Sequence, residues 1–153
     1  MPIWGYSVKA LDPERTVKCA GREMRISPKA ATEICKAIKG MKLPEAKKLL
    51  EDVTEKKRSI PYRHYHKEVP HRGHQGFYAG RYPVKAAGKI HKLLEELEAN
   101  AEYRGLDIEK VKIMHAVSQR GMKVKKFIPR AFGRASPYYN TLTHVELVGC
   151  ETA

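Results

Sequence analysis

Acidic residues are scarce. Seventeen Asp and Glu stand against thirty Lys and Arg in 153 residues, a formal net charge of +13. A charge of that size repels itself unless a polyanion is near, so the partners in view are nucleic acid, an anionic membrane surface or an acidic protein. No apolar run approaches the roughly 20 residues a spanning helix needs, so no transmembrane helix is expected. Met1 to Ala10 lacks a positive segment followed by an apolar one, and no secretory signal is expected there. Cysteine occurs only at Cys19, Cys35 and Cys150, an odd and widely spaced set that argues against a disulfide framework and for a reducing cytosol. No Walker-type loop, no G-x-G-x-x-G and no G-x-S-x-G is present, which argues against nucleotide binding and hydrolase chemistry. There is no internal repeat and no low-complexity tract.

What is present is basic, and it is unevenly placed. From Lys56 to Lys92 there are ten Lys and Arg and one acid, Glu68; from Lys110 to Val145 there are eight and no acid. Acids gather elsewhere, at Glu95, Glu96, Glu98 and Glu102. A solvated surface mixes the two signs, so two such stretches suggest two surfaces facing phosphate.

The apolar spacing gives an α+β reading of one domain over residues 1–153. Residues 1–15 read as an extended arm, with Ile3, Trp4, Tyr6 and Val8 its apolar positions. Residues 16–26 read as a strand whose parity changes at Gly21, where a bulge is expected. Ser27-Pro28 signals a helix start, with a capping hydroxyl and then proline at the first helical position. Ala31, Ile34, Cys35 and Ile38 follow at helical spacing, and Gly40 stops the helix. Leu43-Pro44 opens a second helix that buries Ala46, Leu49, Leu50 and Val53. A third runs from about Val84 to Ala101, with Val84, Ala87, Ile90, Leu94, Leu97 and Ala101 on one stripe. Two strands close the chain, around 111–117 and 143–147.

Two segments fit no regular element. Residues 59–82 mix proline, glycine, tyrosine and histidine without a period, and so long a loop is normally functional or disordered. Residues 118–137 join the last two strands around Pro129 and Gly133. If its flanks stay paired, this ribbon projects about 30 Å from the domain. A lone two-stranded ribbon is marginal in water and must gain stability from what it enters. It interleaves Arg120, Lys123, Lys125, Lys126, Arg130 and Arg134 with Met122, Val124, Phe127, Ile128 and Phe132. That mixture suits phosphate neutralisation combined with packing on bases and sugars. A flexible basic loop of no specific role is the plainer alternative, but it would leave those apolar groups exposed.

The histidine-rich run, with His64, His66, His71 and His74 near Glu68, invites a metal or nuclease reading. It lacks the tight ligand pairs of zinc sites, and the cysteines are remote in sequence. Imidazoles in an RNA-contacting loop, stacking and hydrogen-bonding, account for it more simply. The cysteines read as core or near-core residues. No metal and no cofactor is expected. The cations expected on nucleic-acid phosphate are Lys56, Lys57, Arg58, Arg63, Lys67, Arg72 and Arg81, with His64 and His66 beside them, and the six of the ribbon. The rings expected to stack or pack on the nucleic acid are Tyr62, Tyr65, Phe77, Tyr78, Phe127 and Phe132; the pattern itself does not choose RNA over DNA. A DNA-binding architectural protein remains the alternative, although no helix-turn-helix is evident.

In chain order, S-P-K-A-A-T-E-I-C-K-A-I-K-G-M, L-P-E-A-K-K-L-L-E-D-V, a third helix ending L-E-A-N-A-E, and M-K-V-K-K-F-I-P-R-A-F-G-R-A carry a resemblance over roughly residues 16–149. The chain resembles the universal L twenty-two family of large-subunit ribosomal proteins, in its archaeal and eukaryotic form. The loop 59–82 looks like the insertion of that branch. The resemblance implies three helices packed on a small three-stranded antiparallel sheet, with a long projecting β-hairpin over 110–148. It implies no enzymatic activity, a cytoplasmic place in the large subunit, binding to several rRNA domains, and help in subunit assembly. It implies further that the hairpin lines the polypeptide exit tunnel. The tip would then be Phe127, Ile128, Pro129, Arg130, Ala131, Phe132, Gly133, Arg134 and Ala135, near a loop of ribosomal protein L four and in transient contact with the nascent chain.

Overall fold

The computed structural model describes residues 5–9 and 12–152. The apolar positions Ile3 and Trp4 of the expected arm lie outside the described residues. The elements in order are β1 (Thr16–Met24), α1 (Pro28–Ile38), α2 (Leu43–Thr54), β2 (Ile60–Pro61), β3 (His71–Arg72), β4 (Phe77–Arg81), α3 (Val84–Tyr103), β5 (Val111–Val124), β6 (Phe127–Pro129), β7 (Ala135–Pro137) and β8 (Asn140–Glu151). Short 3₁₀ turns precede β4 and β5.

The main sheet has the order β1-β8-β5, all antiparallel, with β8 in the centre. Its register slips between Gly21 and Met24, where the parity change predicted a bulge. The helices cover it with their apolar stripes. Ile34 and Ile38 of α1, Leu43 and Leu50 of α2, Ile90, Leu94 and Leu97 of α3, and Ile113 and Leu147 of the sheet are fully enclosed. Each such side chain contributes about 1.5–3 kcal/mol by leaving water. Val84, expected on the α3 stripe, is only half-buried, because it sits in the first turn at the edge of the core. The α1–α2 turn shields the β5 edge through its backbone: Gly40 N–H donates to the Ile113 carbonyl at 2.8 Å, and Ile113 N–H donates to the Met41 carbonyl at 2.9 Å. Gly40 permits this with φ +87°. Ser27 starts α1 in extended conformation but makes no side-chain cap; its carbonyl accepts from Ala31 at 2.9 Å instead.

The described part of the N-terminal arm is held against the domain. Ser7 donates from both N–H (2.9 Å) and hydroxyl (2.6 Å) to the Glu146 carboxylate. Arg104 donates to the carbonyls of Pro13 at 2.6 Å and Thr16 at 2.8 Å.

Two departures from the main sheet define the functional geometry. Residues 59–82 are not a structureless loop: β2, β4 and β3 pair as a second small sheet. The last two long strands stay paired well past the core. Pairing runs from Val111↔Glu151 to Val124↔Asn140, continues through Tyr138 N–H to the Lys126 carbonyl at 2.6 Å, and resumes from Phe127↔Pro137 to Pro129↔Ala135. Every residue from Met122 to Ala135 is exposed.

Candidate nucleic-acid interface

The ribbon owes its form to alternation and to its tip. Phe132 (φ +58°) and Gly133 (φ +64°) both take left-handed backbone there. Arg130 N–H donates to the Arg134 carbonyl at 2.8 Å and closes the turn. Glycine adopts that conformation freely, whereas phenylalanine does so at a cost. The residue with that strained backbone also carries the tip's most open large apolar group: Phe132 is 97% exposed and Phe127 64%. The six cations of the ribbon are exposed, and among the described residues none has a carboxylate partner. Arg130 makes one weak contact, Nε–H to Ser136 Oγ at 3.4 Å. Free cations beside free apolar groups suit a partner that presents phosphates and flat faces together. Tyr138 and Tyr139 belong to the same surface and were missed from the sequence. Both are exposed, and Tyr139 meets Phe127 edge to face at 6.5 Å between centroids. Two adjacent tyrosines inside an acid-free stretch were the available signal.

The second surface is built over α1. Glu33 is 1% exposed, and its carboxylate is the anchor. It accepts from the backbone N–H of Arg63 at 3.2 Å, His64 at 2.9 Å and Tyr65 at 2.9 Å. Charge-assisted bonds of this kind are among the stronger ones. They fix the 62–66 backbone so that Arg63, His64, His66 and Lys67 face solvent. Farther along, Gln75 accepts from Ser59 N–H at 2.9 Å and from its hydroxyl, tying the two ends of the insertion together. Glu33 was also missed from the sequence, although it shares a helix side with Ala30 and Ala37, where a carboxylate needs an explanation. Its neighbour Thr32 places its hydroxyl 2.7 Å from Ser118 at the root of the ribbon. One turn of α1 thus touches both basic segments.

The remaining predicted residues divide. Lys56 and Arg58 are exposed beyond α2, and Lys57 already pairs with Glu55, which raises its pKa through that hydrogen bond. Arg72 is half-buried, its guanidinium 5.0 Å from the Tyr82 ring centre. Arg81 is exposed and donates to the Glu68 carbonyl at 3.3 Å. Tyr78 is open to solvent and packs on His71 at 3.9 Å, while Tyr65 and Phe77 are half-buried. Tyr62, expected among the rings on RNA, is 8% exposed, and its ring floors the insertion instead of standing open to solvent. Burial accordingly raises its phenol pKa.

Among the described residues no three His, Cys, Asp or Glu are grouped to hold a metal ion. Cys19 and Cys35 are buried as expected, and burial pushes both thiols up to about 12. Neither thiol forms appreciable thiolate at neutral pH.

Residues 19–149 match the family model described as Ribosomal protein L22p/L17e. The chain is 54% identical over 144 residues to Large ribosomal subunit protein uL22 of Archaeoglobus fulgidus, covering 94% of this chain and 93% of that one. It is 47% identical over 151 residues to the protein of the same name from Thermofilum pendens, covering 99% of each. With that of Cenarchaeum symbiosum it shares 48% over 151 residues, again 99% of each.

Proposed function

The chain belongs to the ribosomal protein L22p/L17e family, and from that premise we propose that it is a structural constituent of the large ribosomal subunit, located in the cytoplasm, that binds rRNA and assists subunit assembly. The work is binding and shaping, not enzymatic conversion. Its hairpin lines the polypeptide exit tunnel, with the tip 127–135 near ribosomal protein L four and in passing contact with the nascent chain. The observation that carries this reading is the ribbon itself: paired to its tip, unpaired in charge, and topped by Phe132 at 97% exposure.

The physics follows from that shape. Six ribbon cations laid on irregular RNA would release counterions and give a salt slope of about −4. Burial of Phe127, Ile128 and Phe132 on insertion would add about 1.5–3 kcal/mol each and offset the weakness of a lone ribbon. The insertion 59–82 adds a second set of contacts from Arg63, His64, His66, Lys67 and Arg81. Backbone contacts of this type set position, while ring contacts add fit.

Sucrose-gradient fractionation of native lysate, repeated after a high-salt wash, tests the reading. Constant stoichiometry with the large subunit that survives the wash is the expected result. Recovery at the top of the gradient overturns it and returns attention to DNA binding.

A further inference from the structure

The insertion forms a second kind of site. Between residues 62–69 and the start of α1 lies an open pocket of about 480 Å³. That is within the roughly 300–1,000 Å³ range of small-molecule sites. Its floor is apolar, with Ala30, Tyr62 and Val69 all buried. Its wall is made of rings: Tyr65, with His64 edge-on at 4.5 Å, and His66, whose Nδ1 lies 3.1 Å from the Arg63 carbonyl. Its rim carries Lys29, Lys67 and Arg81, and among the described residues no carboxylate lines it. The Lys29 ammonium lies 5.6 Å from the Tyr65 ring centre. The wall is held from beneath, because Tyr65 N–H is one of the three donors bound by Glu33.

These features select a ligand class. Apolar floor and ring wall suit a planar base, and the cationic rim suits a phosphate. An apolar guest would leave the rim unused, and a bare anion would leave the rings unused. A base within a duplex has its faces stacked and its edge paired, so it cannot enter; an unstacked one can. We propose that this pocket receives a single unpaired nucleotide of the bound RNA, its base against Tyr65 and His66 and its phosphate among Lys29, Lys67 and Arg81. The inference rests on the RNA-binding reading and gives that reading a second, separable point of contact. The ribbon grips by insertion; the pocket grips by capturing one nucleotide.

The test uses the full chain and a large-subunit rRNA transcript, with affinity measured across a salt series and the RNA probed chemically in each complex. Tyr65→Ala should weaken binding about tenfold without changing the salt slope, as expected for loss of one stacked base. Lys67→Ala should lower the slope by about one. In the Tyr65→Ala complex one nucleotide should change its base reactivity. Because Tyr65 is half-buried, His66→Ala is the companion variant: its ring is exposed, and the same nucleotide should respond. If both ring variants bind like the wild type and no nucleotide changes, the pocket is not used, while a slope that falls on Lys123→Ala keeps the RNA reading intact. If the wild-type chain itself fails to bind the transcript at low salt, both readings fall.

Discussion

Removing the Glu33 carboxylate should free the insertion from the domain. The side chain is 1% exposed and accepts three backbone N–H groups, at 2.9, 2.9 and 3.2 Å. In Glu33→Ala those donors lose their partner. Each part-buried donor left unsatisfied costs about 1–3 kcal/mol, with the low end applying where water can reach it. Three donors at the low end, plus the volume lost from α1, give about 3–5 kcal/mol. For a chain of this size that corresponds to a fall in melting temperature of roughly 10 °C. Thermal unfolding measures the total, and amide hydrogen exchange locates it. Arg63, His64 and Tyr65 should become fast-exchanging while the α3 core amides keep their order of protection. Glu33→Gln, which keeps one acceptor oxygen but sets an amide donor against an N–H, should fall between. A melting temperature lowered by less than about 2 °C, with those three amides still protected, would refute the anchor.

Two further perturbations probe other parts. Gly121 lies at the root of the ribbon, where an added Cβ would stand 2.7 Å from His144 Nε2. His144 is buried and accepts from Glu23 N–H at 3.0 Å, so it has little room to yield. Gly121→Ala should therefore cost about 1–3 kcal/mol in urea unfolding, and an unchanged midpoint would mean the ring moves aside freely. The buried thiols make an alkaline prediction. Cys35 titrates near 9.0 when unfolded and is pushed up to about 12 by burial. Its contribution is fully present below the unfolded value and is lost as pH rises towards the folded one. Stability should thus decline between about pH 9 and 12, by roughly 4 kcal/mol at most for this group. Cys35→Ala should flatten that decline, and an equally steep curve in the variant would assign it elsewhere.

The parts legible in the sequence were those governed by local periodicity. The three helices announced themselves through stripes such as Ile34, Cys35 and Ile38, and the bulge at Gly21 through a change of parity. The ribbon was legible because its charge pattern and its turn residues agree. The insertion was not legible as a fold. Its strands are two to five residues long, too short to show a period. The backbone between those strands is held by Glu33, some thirty residues away in α1, and the start of the insertion is held by Gln75, sixteen residues on. The same long-range dependence hid the role of Tyr62, since an aromatic in a basic loop looks alike whether it faces RNA or the core. Tyr138 and Tyr139 are less legible because they lie on the ribbon's return side, beyond its most basic part.

The central claim is that the ribbon tip reaches into RNA and towards the nascent chain. Replacing Phe132 with a photoreactive phenylalanine and irradiating translating ribosomes tests it directly. Adducts to large-subunit rRNA and to the nascent polypeptide are expected, since the ring is fully open in the free chain and has no other role in the fold. Adducts to neither, with labelling only of soluble proteins, would contradict the claim.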